Sequence, residues 1–336
     1  MEIPTRRFQV AVVGLGRMGS GYDATDSSDL PRSHVAAILS NPSLVLAAVC
    51  DARVEARVAF IVDRKLQVPV FENLEQLFAH AKYDIVVVAT DATTHEQVLH
   101  ACLQAGPRLV FCEKPFCSDA NTAERLAQEL ASKGIRVAVN YHRRWDGRFG
   151  RLRDIMRKSG PVKHAEVLYV KGLRNYGAHA IDLLQFLFGR VYTVSRLPRA
   201  LAESSGLSDP SYCAQLGFKD ELLVNMIGFD DIEYELFELE IVASMARFSV
   251  QYGGHSIAVQ HFENNLHFKG YTTLSAAKPL CQTSPVHGLT YAYDEFVRFL
   301  CDGKQPSTSL AVNAVNVQRV MDAVVYVACG GDRVVL

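Results

Sequence analysis

The first 142 residues alternate between short apolar runs and helical patterns, and this alternation limits the fold more than any other feature. Continuous apolar runs predict buried strands, because a strand covered on both faces shows no polar alternation. The runs are Phe8 to Val13, Leu44 to Val49, Asp84 to Ala89, Leu109 to Cys112 and Arg136 to Val139. Helical patterns lie between them at Ser33 to Leu39, His95 to Gln104 and Ala120 to Ser132. The order predicts an α/β fold with a doubly wound parallel sheet.

The pattern changes after Gly160-Pro161, where strand-like runs follow one another with short turns. These runs are residues 162–170, 191–197, 212–218, 222–229, 233–242, 245–252 and 255–262. Helical patterns occupy Gly177 to Phe188, Tyr291 to Cys301 and Val312 to Ala328. Successive strands with short connections favour antiparallel pairing. We therefore predict two domains, residues 1–142 with the parallel sheet and residues 143–336 with an α+β fold.

Composition excludes several classes of function. The chain of 336 residues has a net charge of -1, and its sequence pI is near 6.8, so nothing attracts it as a whole to nucleic acid or to an anionic membrane. A signal-like apolar segment is lacking, which predicts a cytoplasmic protein. The eight cysteines form no Cys-x-x-Cys pair, so we expect reduced thiols and no metal site.

A Gly-x-Gly-x-x-Gly motif follows the first predicted strand, with its glycines at Gly14, Gly16 and Gly19. The motif is informative only in this context, between a strand and a helix. The first glycine allows a tight turn, the second lets the backbone approach a pyrophosphate, and the third lets helix and strand pack closely. We predict that the loop binds a dinucleotide through Gly14, Gly16, Arg17, Met18 and Gly19.

An acidic residue, Asp51, lies at the end of the second predicted strand. In this position a carboxylate binds the adenine ribose 2'-hydroxyl, which favours NAD. Arg53 and Arg57 follow closely and offer an alternative, a site for the 2'-phosphate of NADP. The distance from Gly19 to Asp51 exceeds the usual ~20 residues. We attribute the excess to an inserted polar loop, Gly21 to Pro31, which lies either on the surface or over the ligand.

The tetrapeptide Cys112-Glu113-Lys114-Pro115 ends the predicted strand that begins at Leu109. Hydride transfer to or from a secondary alcohol needs a group that takes and returns the hydroxyl proton. A lysine serves when burial or a neighbouring positive charge lowers its pKa. Lys114 is therefore a candidate general base, and Pro115 restricts the backbone beside it. His179 and Asp182 lie three residues apart, on one face of a predicted helix.

These motifs together resemble the glucose-fructose oxidoreductase and inositol dehydrogenase family, Gfo/Idh/MocA. The resemblance covers essentially the whole chain, and Glu113-Lys114-Pro115 is its specific element. The residues that carry it are Gly14-x-Gly16-x-x-Gly19, Ala89-Thr90 with Thr94-His95, Glu113-Lys114-Pro115 and Gly177-x-His179-x-x-Asp182. The resemblance implies an N-terminal Rossmann domain and a C-terminal domain with a large open sheet. It also implies NAD(P)-dependent redox chemistry on sugars or related polyols.

The same resemblance assigns roles to individual residues. Lys114 and His179 become the catalytic pair, with the histidine beside the reacting hydroxyl. Cofactor contacts fall on Thr90, His95, Glu113 and Lys114 in addition to the glycine loop, Asp51 and Arg53. Substrate contacts fall on Asn140, Tyr141, Arg144, Asn175 and Asp182. The open face of the sheet is implied as the interface of a homodimer or homotetramer.

One residue departs from the pattern of many sugar dehydrogenases in this family. They have an aspartate four residues before the histidine, where this chain has Asn175. An asparagine side chain cannot act as a base. Any proton relay through a carboxylate at this position is therefore in doubt, and Lys114 with His179 must suffice.

The segment from Tyr141 to Arg153 combines aromatic and basic residues. Phe149, Leu152 and Met156 fall on one helical stripe, whereas Arg144, Arg148 and Arg151 fall on another. The pattern predicts an amphipathic helix with a solvated basic face. The alternative is that Arg143, Arg144 and Arg148 bind a phosphorylated, nucleotide-linked or acidic sugar.

Two further functions occur on the same scaffold. The first is a glycosidase that oxidises its substrate transiently with tightly held NAD. The second is a non-catalytic NAD-dependent sensor, which has little reason to retain both Lys114 and His179. Net production of NADH distinguishes a dehydrogenase from both.

Overall fold

The computed structural model describes residues 7–23, 31–197, 208–229, 234–280, 288–304, 306 and 309–336. The chain forms two compact units. The first consists of Met1–Trp145 and His287–Val315, and the second of Asp146–Val286 and Asn316–Leu336. A single boundary near residue 142 does not describe these units, because a segment close to the C-terminus is part of the first.

The first unit contains a six-stranded parallel sheet. Its strands are β1 (Phe8–Val13), β2 (Leu44–Cys50), β3 (Val70–Phe71), β4 (Ile85–Val88), β5 (Leu109–Cys112) and β6 (Arg136–Val139). They lie in the order β3-β2-β1-β4-β5-β6, with every adjacent pair parallel. Every residue of β4 and β5 is buried, as their continuous apolar sequence predicts. The predicted doubly wound sheet is confirmed.

Helices connect and cover the strands of this unit. They are α1 (His34–Ser40), α2 (Val54–Arg64), α3 (Leu74–His80), α4 (His95–Ala105) and α5 (Ala120–Ser132). Ser33 and Asp119 cap α1 and α5 by accepting a backbone N–H of the first turn. The predicted helices at these positions are confirmed within one residue, whereas α2 and α3 were not predicted from the pattern.

A late helix belongs to the first unit because it completes the hydrophobic core. This helix, labelled α8 in chain order, spans Gly288–Asp302. Its Phe296 packs edge to face on Phe111 of β5 at 4.8 Å and on Trp145 at 5.6 Å between ring centroids. Aromatic pairs of this kind stabilise by more than their buried area alone. Tyr293 of the same helix enters the core beside them.

The glycine loop and α1 form one interrupted helix. The N–H groups of Ser20 and Gly21 both donate to the Gly16 carbonyl, which makes a first helical turn. His34 and Val35 then donate to the carbonyls of Met18 and Gly19, as residues 22 and 23 would in a continuous helix. The polar insertion therefore lies within the helix, and without it the spacing from Gly19 to Asp51 is the usual ~20 residues.

Asp23, near the start of this insertion, is hydrogen-bonded to the residues that follow its end. Its carboxylate accepts the N–H groups of Arg32 and Ser33, at 3.0 Å and 2.7 Å. Residues 24–30 lie outside the described part of the chain, so the choice between a surface loop and a cover over the ligand stays a prediction.

The second unit contains a ten-stranded sheet. Its strands are β7 (Val162–Tyr169), β8 (Thr193–Arg196), β9 (Ala214–Gly217), β10 (Leu223–Gly228), β11 (Phe237–Ala243), β12 (Ala246–Gln251), β13 (Ser256–Asn264), β14 (Thr272–Leu274), β15 (Lys278–Pro279) and β16 (Val334–Val335). The order is β14-β13-β12-β11-β7-β10-β9-β8-β16, and β15 pairs with β13. All pairs are antiparallel except β7 with β10. The predicted, mainly antiparallel sheet is confirmed.

The described residues contain three further α-helices. They are α6 (Gly147–Lys158), α7 (Ala178–Phe188) and α9 (Ala311–Ala328). Phe149, Leu152 and Met156 form the buried stripe of α6, as the sequence predicts. Within the described ranges, no helix combines the length and the apolar character needed to cross a membrane.

The basic face of α6 is not solvated throughout, and this corrects the sequence interpretation. Arg148 is only 7% exposed, and its guanidinium forms a short ion pair with Asp146, at 2.6 Å. It also donates to the carbonyls of Gly254 and His255 in the turn between β12 and β13. A buried guanidinium needs such partners, because burial of an unpaired charge is costly. Arg151 on the same helix is exposed, as predicted.

Candidate active site

The three glycines of the loop after β1 are required for different reasons. Gly14 has a φ of +97°, and a Cβ there would lie 2.4 Å from the Ala89 carbonyl. A Cβ on Gly19 would lie 1.9 Å from the Gly14 oxygen. Packing of the loop on β4 and on itself therefore excludes any side chain at these two positions. Gly16 is different, since a Cβ there would meet only Arg53, at 3.9 Å.

The open side of Gly16 is lined by polar backbone groups. Within the described part of the chain, the N–H groups of Gly16, Arg17 and Met18 have no hydrogen-bond acceptor. These groups belong to the first turn of the interrupted helix, where N–H groups have no partner inside the helix. Such a turn attracts an anion, and a glycine lets a phosphate come close to the backbone. The predicted pyrophosphate site therefore fits this loop.

Asp51, directly after β2, holds the loop in place. Its Oδ2 accepts the Leu15 N–H at 2.8 Å and Arg53 Nη2–H at 2.9 Å. Its Oδ1 accepts the backbone N–H and the Nε–H of Arg53, at 2.9 Å and 3.1 Å. Burial opposes ionisation of the carboxyl, but the hydrogen bonds from Arg53 and Leu15 outweigh it and hold the pKa of Asp51 below its usual value.

Lys114 lies in the turn after β5, at the same edge of the sheet as the glycine loop and Asp51. This follows from the topology, because parallel strands end at one edge. The lysine is half-buried, and its peptide bond with Pro115 is cis. His95, at the start of α4, is 1% exposed, and its Nδ1–H donates to the Pro115 carbonyl at 2.8 Å. Thr90, after β4, is half-buried, with its carbonyl 3.3 Å from the other ring nitrogen of His95.

Glu113 is a buried carboxylate next to Lys114, and three groups donate hydrogen bonds to it. Its Oε1 accepts His34 Nε2–H at 3.0 Å and the amide of Asn140 at 2.7 Å. Its Oε2 accepts the backbone N–H of Lys114 at 3.3 Å. Because the His34 proton lies on Nε2, its Nδ1 is free to accept the hydroxyl of Tyr293, at 2.9 Å. A continuous network thus runs from α8 through α1 to the turn that carries Lys114.

The pKa values agree with this direction of the hydrogen bonds. Burial raises the pKa of Glu113, but the hydrogen bonds from His34 and from the Asn140 amide, together with the charge of Lys114, lower it by more, so the net pKa lies below the usual value. Burial, and then the charge of Glu113, raise the pKa of Tyr293 well above its usual value. Glu113 is therefore ionised and the Tyr293 hydroxyl protonated at neutral pH.

The predicted substrate residues of the first unit differ in exposure. Asn140 is 3% exposed and donates its amide to Glu113, so it supports the carboxylate. Tyr141 is 1% exposed, whereas Arg144 is half-buried. Arg143 is buried. Of these four side chains, Arg144 has the most surface to offer a ligand.

In the second unit, a π-helix leads into α7 and carries the other predicted residues. The π-helix spans Gly172–Gly177, and Asn175 is exposed on it. His179 and Asp182 follow in the first turns of α7, and both are buried, at 8% and 1% exposure. A π-turn widens a helix by one residue per turn and is common at functional sites. The helix was predicted from Gly177, but its π-helical start was not.

The start of the π-helix is held by Asp209. Its carboxylate accepts the N–H groups of Arg174 and Asn175, at 3.0 Å and 3.1 Å. Gly172 has a φ of +87°, and a Cβ there would lie 2.2 Å from the same carboxylate. The backbone beside Asn175 is therefore fixed by a residue 34 positions later in the chain.

His34 and Tyr293 belong to the hydrogen-bond network of Glu113, and the sequence did not indicate them. His34 lies in an apolar helical segment, where a single histidine is usually a core residue. Tyr293 lies 259 positions away from it, in a helix assigned to the second domain. Only the packing of α8 on the first sheet brings these side chains to Glu113.

Comparison with known proteins agrees with this geometry. Residues 8–141 match the family model GFO_IDH_MocA, described as the oxidoreductase family with an NAD-binding Rossmann fold. An uncharacterized oxidoreductase of Schizosaccharomyces pombe is 31% identical over 147 residues, which are 38% of this chain and 40% of that protein. Inositol 2-dehydrogenase 1 of Mycolicibacterium vanbaalenii is 29% identical over 220 residues, or 60% of each chain. These matches span about half the length of the curated relatives.

Solved structures resemble the chain over nearly its full length. The WlbA dehydrogenase from Bordetella pertussis, in complex with NADH and UDP-GlcNAcA, has a TM-score of 0.77 at 18% identity and covers 98% of this chain and 99% of its own. An oxidoreductase from Agrobacterium radiobacter, in complex with NAD+, L-tartaric acid and magnesium, has a TM-score of 0.75 at 15% identity, with 98% of each chain covered. At these identities the likeness establishes the fold.

We expect Glu113→Gln to destabilise the protein by about 1–3 kcal/mol at pH 7, because an amide cannot accept all the donors that face Glu113. The pKa of Glu113 is lowered in the folded state, so its contribution is complete above the ordinary value near 4.5. That contribution is lost as the pH falls through the lower folded value. The difference in urea stability between wild type and variant should therefore shrink in acid.

Glu129→Gln is the matched control for this measurement. Glu129 lies on α5 with an exposed carboxylate paired to Arg125, so its replacement should change stability little at either pH. A difference for Glu113→Gln that stays constant or grows in acid would contradict a buried, ionised carboxylate.

Proposed function

Because residues 8–141 match the Gfo/Idh/MocA family of NAD-binding oxidoreductases, we propose that this chain transfers a hydride between NAD(H) and a secondary alcohol or ketone of a sugar-type substrate. The observation that carries the proposal is Lys114, placed after β5 at the edge that also holds the glycine loop, with ionised Glu113 beside it. Hydride transfer to or from an alcohol requires at least a dinucleotide site and a side chain that transfers the hydroxyl proton, and this sheet edge offers both.

The residues that would hold the cofactor are those of the glycine loop and of the ends of β2 and β4. Gly16, Arg17 and Met18 offer N–H groups to the pyrophosphate, and Asp51 with Arg53 lies where the adenine ribose is bound in this fold. Thr90 follows β4 toward the nicotinamide end. When bound, the cofactor accepts or supplies the hydride.

Lys114 would take the hydroxyl proton when the substrate is oxidised and return it when the substrate is reduced. Hydrogen bonds to the backbone before and after the Lys114 side chain fix its position. Glu113 accepts its backbone N–H, and His95 holds the carbonyl of Pro115. A rigid turn of this kind keeps a proton donor in register with a bound hydroxyl, which is a large part of general acid-base efficiency.

His179, Asp182 and Asn175 would act from the second unit. His179 is the proposed proton partner of the substrate hydroxyl, and Asp182 orients the substrate or the histidine. Asn175 can donate and accept hydrogen bonds but cannot accept a proton in the working pH range. We therefore assign the proton transfers to Lys114 and His179.

The proposed substrate is a polyol, a sugar or a sugar derivative. Inositol 2-dehydrogenases are among the curated relatives, and a structural neighbour was solved with UDP-GlcNAcA. Arg148 does not support a preference for a phosphorylated, nucleotide-linked or acidic sugar, because its guanidinium is buried in an ion pair with Asp146. That preference now depends mainly on Arg144, which retains some exposed surface.

We also propose that a second copy of this chain packs on the open face of the ten-stranded sheet. Leu168, Val242 and Ile227 are half-buried on strands whose alternate residues form the core. Glu240 and Arg247 form an ion pair on the same face.

Sedimentation equilibrium of the wild type should give the mass of a dimer or tetramer. Val242→Glu should shift the equilibrium toward monomer, and the control Arg151→Glu should leave it unchanged. A monomeric wild type would contradict the proposal.

The cytoplasmic location stays a prediction from the sequence.

The described residues hold no group of three or more His, Cys, Asp and Glu side chains that could bind a metal.

We expect Lys114→Met to lose roughly 10²- to 10⁴-fold in kcat, the usual contribution of general acid-base catalysis, while NADH binding is retained. His179→Ala should also lose activity. If both act on one proton transfer, the double variant loses less than the product of the two single effects. The assay is the change in absorbance at 340 nm, with cofactor affinity measured separately by calorimetry.

Lys133→Met is the control, because Lys133 is an exposed residue at the end of α5. Near-normal turnover of Lys114→Met would refute the mechanism. Hydrolysis of a glycoside without net NADH would instead identify the NAD-dependent glycosidase, and cofactor binding with neither reaction would identify the sensor.

Substrate class is tested by a thermal-shift panel of free polyols and sugars, sugar phosphates and nucleotide sugars with NADH present. We expect stabilisation by at least one compound of these classes. If the substrate is anionic, Arg144→Ala removes a charge-assisted hydrogen bond and should weaken substrate binding roughly tenfold. The thermal shift that the substrate causes should then become smaller. Arg151→Ala should leave it unchanged. Stabilisation by a neutral sugar alone, untouched by Arg144→Ala, would exclude the anionic class.

A further inference from the structure

Three connections meet at one end of the ten-stranded sheet. The π-helix follows β7, Glu235 lies just before β11, and the turn Tyr252–Gly254 joins β12 to β13. The antiparallel registers of β7 with β11, β11 with β12 and β12 with β13 bring all three connections to the same end. Because the π-helix leads directly into α7, the chain reaches His179 from this end of the sheet.

Lys171, directly before the π-helix, links these connections. Its ammonium donates to Glu235 Oε1 at 2.8 Å and lies 5.6 Å from the ring centroid of Tyr176. The hydrogen bond from Lys171 holds the pKa of Glu235 below its usual value against the effect of burial, and the Tyr176 hydroxyl and the nearby His255 act in the same direction. We refer to Lys171, Tyr176, Glu235, Tyr252 and His255 as the Lys171 cluster.

Two residues of the Lys171 cluster have a left-handed backbone conformation, which favours glycine. Lys171 has a φ of +63° and Tyr252 a φ of +52°. Burial does not account for these residues, since the side chain of Lys171 is 27% exposed and Tyr252 is 74% exposed. Strained residues that the core does not require are typical of sites that bind a ligand.

The backbone around the Lys171 cluster is held from both sides. The buried guanidinium of Arg148 donates to the carbonyls of Gly254 and His255 in the β12–β13 turn. The carboxylate of Asp209 accepts two backbone N–H groups of the π-helix. The exposed side chains therefore project from a fixed backbone, which lowers the entropy cost of binding a ligand.

The chemistry of the Lys171 cluster favours a neutral ligand with hydroxyl groups. Glu235 compensates the charge of Lys171, so an anion would gain little from the lysine and would be repelled by the carboxylate. An ammonium has three N–H groups and a carboxylate about four acceptor positions, and the bond between Lys171 and Glu235 uses one of each. The Tyr252 ring adds an exposed apolar face. Donors, acceptors and an aromatic face together match the hydroxyl and C–H groups of a sugar ring.

We propose that the Lys171 cluster binds a neutral second ring of the substrate, joined by a glycosidic bond to the ring that is oxidised. The inference rests on the proposed function, since it extends the same substrate site. Tyr176 precedes His179 by three residues, which is about 4.5 Å along a helix and on one face of it. The cluster therefore begins less than one turn from the residue proposed to face the reacting hydroxyl. The reacting ring lies at His179, and the second ring lies at the cluster.

Titration calorimetry of the whole protein saturated with NADH tests this subsite without turnover, because NADH cannot oxidise an alcohol. The probes are cellobiose, maltose, lactose and the inositol glycoside galactinol, each compared with its component sugars glucose, galactose or myo-inositol. At least one of these glycosides should bind about tenfold or more tightly than its better-binding component, since a hydrogen bond to a charged group contributes about this factor.

Lys171→Gly and Tyr252→Gly should each reduce this advantage of the glycoside about tenfold. Glycine adopts the left-handed conformation without strain, so both variants should fold with little change in Tm. Lys65→Gly is the matched control for the lysine, because Lys65 is exposed and has a φ of +49° but lies at the end of α2. Tyr271→Ala is the control for the tyrosine, since Tyr271 is 70% exposed and lies between β13 and β14. Both controls should keep the advantage.

The outcomes separate this inference from the proposed function. If a component sugar binds but no glycoside binds more tightly, or if Lys171→Gly and Tyr252→Gly keep the advantage, the subsite is overturned while the oxidoreductase proposal stands. If the control variants lose the advantage equally, the Lys171 cluster is not its source. A gain that appears only with glucose 1-phosphate and depends on Lys171 would overturn the neutral class. If no sugar or polyol binds, the subsite and the sugar-type substrate are both overturned.

Discussion

A buried negative charge beside Lys114 is the constraint on which the rest of the candidate site depends. Glu113 leaves the sheet at the end of β5 and needs compensation, because an isolated buried carboxylate would be protonated or would destabilise the fold. His34 and Asn140 provide it from two different elements, and Tyr293 fixes the ring of His34. The network links α1, α8 and the end of β6 to the turn that carries the lysine, so the position of Lys114 is set by the core.

The dinucleotide end of the site follows the same logic. Asp51 is a buried carboxylate at the end of β2, satisfied by the loop N–H of Leu15 and by Arg53. Each of these two carboxylates follows the carboxyl end of a parallel strand, and each accepts a backbone N–H of the segment next to it in the candidate site. A sheet with parallel strands collects such ends at one edge, which is why chemistry concentrates there. The polar insertion interrupts the first helix without disturbing this arrangement, because the hydrogen bonds of His34 and Val35 restore the helical register.

Local sequence was sufficient for much of this organisation. The apolar runs predicted β1, β2, β4, β5 and β6, and the glycine and Glu113-Lys114-Pro115 motifs indicated the loop and the turn. What it missed depends on contacts distant in the chain. Tyr293 reaches His34 only after α8 packs on β5, and Asp209 caps the π-helix near Asn175 from a separate segment. Arg148 matched a basic stripe in sequence, but Asp146 two residues earlier allows it to be buried.

The ionisation of Glu113 can be observed directly by carboxyl carbon-13 NMR of protein labelled at the glutamate side chains, with the Glu113 signal assigned by its loss in Glu113→Gln. The hydrogen bonds from His34 and Asn140 predict a carboxylate signal at neutral pH that titrates only below the ordinary glutamate value near 4.5. A signal that titrates above that value, or that shows a protonated carboxyl at pH 7, would contradict the account.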